Sequence, residues 1–151
     1  MLFSGIATQL HFHGSNGFKI ISVFRSSLAV SDIDQDGYDD VLMSMATKSY
    51  VLFGAESFAP AISVGDLNGT NGFSITRKLF AGSHSTASAD INGDGYPDVL
   101  IGGPQDGSPG TMYCIFGKMR PFPVNIKVED LDGINGFTVN GLSNLDYVGN
   151  A

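Results

Sequence analysis

Two nine-residue stretches gather the oxygen-bearing side chains of this sequence into a pattern that could grip a cation. The first reads Asp32-Ile33-Asp34-Gln35-Asp36-Gly37-Tyr38-Asp39-Asp40, and the second Asp90-Ile91-Asn92-Gly93-Asp94-Gly95-Tyr96-Pro97-Asp98. In both, Asp or Asn stands at positions 1, 3, 5 and 9, glycine at position 6, and an apolar run follows. Alternate side chains of a tightly wound loop aim at one point. A hard divalent ion such as calcium collects six to eight oxygens in this way, at roughly 2.3 to 2.6 Å. The glycine permits the sharp turn, and the main-chain carbonyl at position 7, from Tyr38 or Tyr96, can add one more oxygen. An EF-hand would place a bidentate Glu at position 12, but Met43 and Ile101 stand there, and both loops run into aliphatic, strand-like segments rather than helices.

The charge balance points the same way. Eight of the 15 acidic residues lie inside the two loops, and the remaining seven nearly cancel the eight Lys and Arg. Two bound divalent cations would bring the net charge from −7 to −3. No basic stripe is available to neutralise phosphates, which argues against nucleic-acid binding.

The other reactive side chains suggest less. Cys114 is alone, so it has no partner for an intramolecular disulfide, and its apolar surroundings read as the site of a small buried hydrophobe. His11 and His13 alternate on a strand-like segment without a third ligand. His84 has serines on both sides, but neighbours on an extended segment point opposite ways and no Gly-x-Ser-x-Gly elbow exists, so no catalytic site is expected. Asn68-Gly69-Thr70 is a formal glycosylation acceptor, which would make a secreted form a glycoprotein. No stretch is long and apolar enough to span a bilayer, and the start lacks the features of a signal peptide.

The elements that must hold the loops are legible as a repeat. Asn-Gly-Phe recurs at 16–18, 71–73 and 135–137, Phe-Gly at 53–54 and 116–117, and the acidic loops start at Asp32 and Asp90, so the unit is 55 to 64 residues long. Each unit reads as an Asn-Gly-Phe strand, a small-residue strand (28–33 or 86–91), the acidic loop, an aliphatic strand (41–46 or 99–103) and an aromatic strand (50–53 or 112–116). A linker with Pro60, or with Pro121 and Pro123, leads to the next unit, and the second unit carries an extra turn at 104–110. Short strands rich in Val, Ile, Phe and Tyr, with Gly 20 to turn them, predict an all-β chain. Four short strands per unit of this length is the signature of a propeller blade, a twisted four-stranded antiparallel sheet packed face to face on its neighbours. The expected division is a partial blade at 1–25, blades at 26–84 and 85–141 with one acidic loop each, and the start of another at 142–151. A closed propeller needs at least about four blades, so this one is incomplete.

The string from Ala89 to Pro104, followed by Tyr113-Cys114-Ile115-Phe116-Gly117, resembles an FG-GAP repeat of the integrin α-chain β-propeller type. Phe116-Gly117 matches the FG, and Gly102-Gly103-Pro104 the GAP with one substitution; the first unit keeps Phe53-Gly54 but has Ser44-Met45-Ala46 in place of GAP. The resemblance implies a non-enzymatic, calcium-stabilised module of cell adhesion or recognition, extracellular or at the cell surface, with an unidentified protein or glycan ligand. It also implies two calcium sites, one formed by Asp32, Asp34, Asp36, the carbonyl of Tyr38 and Asp40, the other by Asp90, Asn92, Asp94, the carbonyl of Tyr96 and Asp98. Related propellers are appended to secreted phospholipases, so an accessory domain of a secreted hydrolase is the alternative. Self-association, or further blades, would cover the open faces.

Overall fold

The computed structural model describes residues 17–21, 27–45, 48–77, 85–104, 109–143 and 146–150; His11, His13, His84 and most of the extra turn at 104–110 lie outside them. The described residues are β-strands joined by turns, with no α-helix. In chain order the strands are β1 (Lys19–Ile21), β2 (Ser27–Ser31), β3 (Asp40–Ser44), β4 (Lys48–Leu52), β5 (Ala61–Ser63), β6 (Gly72–Thr76), β7 (Thr86–Ala89), β8 (Asp98–Gly103), β9 (Thr111–Ile115), β10 (Asn125–Lys127) and β11 (Gly136–Asn140). Short 3-10 turns at Val64–Asp66 and Val128–Asp130 follow β5 and β10.

Two antiparallel four-stranded sheets carry the fold, β2-β3-β4-β6 and β7-β8-β9-β11. Each acidic loop is the connection between the first two strands of its sheet, β2 to β3 and β7 to β8. The Asn-Gly-Phe strand belongs to the sheet of the loop that precedes it. It forms the fourth strand, with Phe73 opposite Val51 and Phe137 opposite Cys114. The sheets are thus offset by one strand from the sequence unit, which placed Asn-Gly-Phe first.

The proline-bearing linkers do more than connect. Each contains a three-residue strand that pairs in parallel with a strand earlier in the chain, β5 with β1 and β10 with β6, the last strand of the first sheet. Asn125 fixes the second pairing, because its side-chain oxygen accepts from Ser74 Oγ at 2.9 Å and Thr76 Oγ1 at 2.6 Å. The phrase that follows, Asp66 to Phe73 or Asp130 to Phe137, folds on itself. Asn68 Oδ1 accepts from the amides of Thr70 and Asn71, and Asp132 Oδ1 from those of Ile134 and Asn135. Asn71 and Asn135 reach back to the carbonyls of Asp66 and Asp130.

Alternation within the strands gives each sheet an apolar face. Leu42, Val51, Phe73 and Ile75 of the first sheet join Val99, Ile101, Tyr113 and Ile115 of the second in one core, with Phe53, Phe122 and Val128 contributed by connecting segments. The opposite face of the first sheet presents Met43 and Leu52 to Leu67, Phe18, Ile20 and Ile62. The first sheet is therefore covered on both faces, as a blade between neighbours would be. The edge strands β2 and β7 meet where Ser27 Oγ and Thr86 Oγ1 lie 2.8 Å apart.

Candidate metal centres

Both acidic loops wind around their first residue. In the first, Asp32 accepts from the amides of Asp36 (3.1 Å) and Gly37 (3.0 Å); in the second, Asp90 accepts from Asp94 (3.2 Å) and Gly95 (3.0 Å). The position-5 carboxylates close the turn by accepting from Tyr38 at 2.9 Å and from Tyr96 at 2.8 Å. The turn takes the left-handed conformation at position 6, where Gly37 and Gly95 have φ of 92° and 95°, and at position 4, where Gln35 and Gly93 have φ of 56° and 76°. Gln35 also donates from its side-chain amide to the Gly95 carbonyl, which ties one loop to the other.

The ninth residue anchors each loop to the body of its sheet. Asp40 and Asp98 are fully buried. One oxygen of each accepts the position-2 amide, Ile33 or Ile91, at 2.8 Å. The other accepts the Phe-Gly glycine amide, Gly54 at 2.7 Å or Gly117 at 2.9 Å. The glycine is required by proximity. A Cβ at Gly54 would stand 2.6 Å from the Asp39 carbonyl oxygen, and one at Gly117 would stand 2.3 Å from that of Pro97. Burial pushes Asp40 up to about 6 despite the two amides that hold it, and Asp34 and Asp32 add to the rise.

The loops differ in what they bring together. In the first, oxygens of Asp32, Asp34 and Asp40 lie within 4.8 Å of one another. Asp34 is buried, and its Oδ2 faces the Arg120 guanidinium. Burial raises its pKa, partly offset by the nearby Arg120 guanidinium, with Asp32 adding to the rise. Asp36 and Tyr38 are exposed. The second loop is more open: Asp90, Asn92 and Asp94 are exposed, Tyr96 is half-buried, and the Asn92 amide donates to Asp94 Oδ2 at 2.9 Å. A crowded set of hard carboxylate oxygens from Asp32, Asp34 and Asp40 fits a divalent cation better than a soft metal.

Arg120 is the residue that the sequence reading missed. It comes from the segment between β9 and β10, and its Nε and Nη2 pair with Asp34 Oδ2 and Asp36 Oδ2. Its guanidinium carbon lies 4.8 Å from the centre of the Phe53 ring. No local signal marks it, because the acids it meets lie more than 80 positions earlier. Cys114 is buried at β9, and burial, with Asp98 adding, pushes its thiol up to about 12. That is the inert environment expected of a small buried hydrophobe.

The FG-GAP repeat family model matches residues 83–113, which include the second acidic loop. Human integrin alpha-7 is 27% identical over 145 residues, covering 89% of this chain, and chicken integrin alpha-6 is 28% identical over 149 residues with the same coverage. The chain thus carries an FG-GAP repeat and is similar to integrin α chains over most of its length. It spans only 12% and 13% of the length of these two relatives. No solved structure gives a significant match. The geometry explains the Phe116-Gly117 pair that follows the matched residues: the Gly117 amide donates to Asp98, and the glycine lies too close to the loop to carry a side chain.

Proposed function

We propose that the chain is a stretch of calcium-stiffened propeller blades in a non-enzymatic adhesion or recognition module, extracellular or at a cell surface. The observation that carries this reading is the pair of loops, each wound by its amides onto its first Asp and each locked to its sheet through the buried ninth Asp and the Phe-Gly amide. Calcium is held by Asp32, Asp34, Asp36, the Tyr38 carbonyl and Asp40 in one loop. In the other it is held by Asp90, Asn92, Asp94, the Tyr96 carbonyl and Asp98. The ion's task is mechanical: it neutralises clustered carboxylates and fixes the connection between the first two strands of each sheet. The ligand is a protein or glycan bound by the assembled module, and the exposed Asn68 is a glycosylation position. The integrin α relatives support this reading.

Calcium at 100 times its Kd would stabilise the fold by about 2.7 kcal/mol per site. Titration calorimetry on the full chain should therefore show calcium uptake, and a chelator should lower the melting temperature. Asp34→Ala should remove one site and Asp94→Ala the other. A melting curve indifferent to chelator, with no binding heat, would remove the basis for this function.

A further inference from the structure

We propose that Arg120 is a built-in counter-ion of the first acidic loop, which a divalent cation must displace, so that the two loops bind calcium with unequal affinity. The inference rests on the calcium reading above and adds a competitor. The guanidinium engages Asp34 Oδ2 through Nε and Asp36 Oδ2 through Nη2. Both carboxylates belong to the set that would hold the ion. A guanidinium and a divalent cation cannot share them, because two cations a few ångströms apart repel strongly where burial lowers the local dielectric.

The arginine is built into its place. It also lies over the Phe53 ring, and Nη1 donates to the Thr70 carbonyl at 3.3 Å. A planar cation with a forked set of donors suits two carboxylates and an aromatic face together, which a lysine would not. Its release does not require the segment to unfold. Phe122 is buried two residues on, with its amide donating to the Gly69 carbonyl at 3.1 Å, and Gly117 is held by Asp98. The side chain is 28% exposed, so it can turn outward from a fixed backbone.

The second loop is the internal comparison. Among the described residues none of its acids forms an ion pair: the cavity beside it, about 550 Å³, is lined by Asn92 and Asp94 with Lys118 and Lys127, but neither lysine pairs with a loop acid as Arg120 does in the first loop. The loops are alike in backbone but differ in competition. The first loop binds calcium more weakly than its denser carboxylates suggest, and its filling frees Arg120 from Phe53 and Thr70.

The test is calcium calorimetry on four full-length forms: wild type, Asp94→Ala, Arg120→Gln, and the last two combined. Asp94→Ala isolates the first loop. Adding Arg120→Gln should tighten its calcium binding by about tenfold or more, since both charge-assisted contacts, to Asp34 and to Asp36, are lost. In Arg120→Gln alone the second loop should bind as in wild type, which also reports that the chain has folded. In wild type, calcium should shift the Arg120 Nε–H resonance toward that of a solvated arginine. An unchanged or weaker first loop in Arg120→Gln, with the second loop intact, overturns the competition and leaves the calcium reading standing. No calcium heat in any of the four forms overturns both. A first loop silent in wild type but binding once Arg120 is replaced supports the competition in its strongest form.

Discussion

The glycine of Phe-Gly and the ninth loop residue form one device. Asp40 and Asp98 each divide their two oxygens between the loop and the glycine amide, so the loop cannot shift without breaking a buried charge-assisted hydrogen bond. At Gly117 a methyl group would lie 2.3 Å from the Pro97 carbonyl and 3.0 Å from that of Ile33, and both contacts are backbone. Gly117→Ala should therefore destabilise the chain by about 2–3 kcal/mol, read as a lower urea midpoint. Asp132 offers a contrasting case. Amide donation from Ile134 and then Asn135 lowers its pKa, and a carboxylate lowered in the folded state adds stability above its unfolded value of 3.8 that is lost as pH falls through the folded value. Asn68 makes the same turn in the first repeat without a charge. Asp132→Asn should thus leave the melting temperature at pH 7 nearly unchanged and reduce its fall toward pH 3. An equal fall in both proteins would place the acid sensitivity elsewhere.

At the scale of elements, the acidic loops, the strands flanking them and the all-β class were legible because each has a local signal. Asp-x-Asp-x-Asp-Gly is set by turn geometry, and Val41, Leu42 and Met43 are strand formers wherever they lie. The parallel strands β5 and β10 were not, since three residues such as Asn125-Ile126-Lys127 carry no period and their partner lies 51 positions earlier. Arg120 escaped for the same reason: only the packing of one unit on another brings it to Asp34. The offset of the sheets against the sequence unit also follows, because the strand of Phe73 pairs backward with β4 across a long linker. Residue Asn125 makes the latch testable. Its oxygen is shared by two hydroxyls at the sheet edge, and Asn125→Ala should cost about 1 kcal/mol in chemical denaturation. A cost no larger than that of a surface substitution elsewhere would mean that β10 holds by its backbone pairing alone.

Over the whole molecule, the two large sheets are joined by a core that neither could close alone. Phe122 lies between β9 and β10, yet its ring stacks on Phe73 of the first sheet at 4.5 Å between centroids with an interplanar angle of 3°. It also packs against Phe53 at 5.5 Å, while Lys118 Nζ lies 5.3 Å from the centre of its own ring. A residue of the second unit thus fills the face of the first, beside the loop that Arg120 neutralises. Truncating it would remove a buried aromatic from the joint rather than from either sheet. Phe122→Ala should accordingly cost about 3–5 kcal/mol. Because the sheets keep their own strand pairings, the loss should appear in calorimetry as separation of one transition into two. A single transition, merely moved to lower temperature, would show that the latch of β10 on β6 and the contact of β2 with β7 suffice to couple the blades.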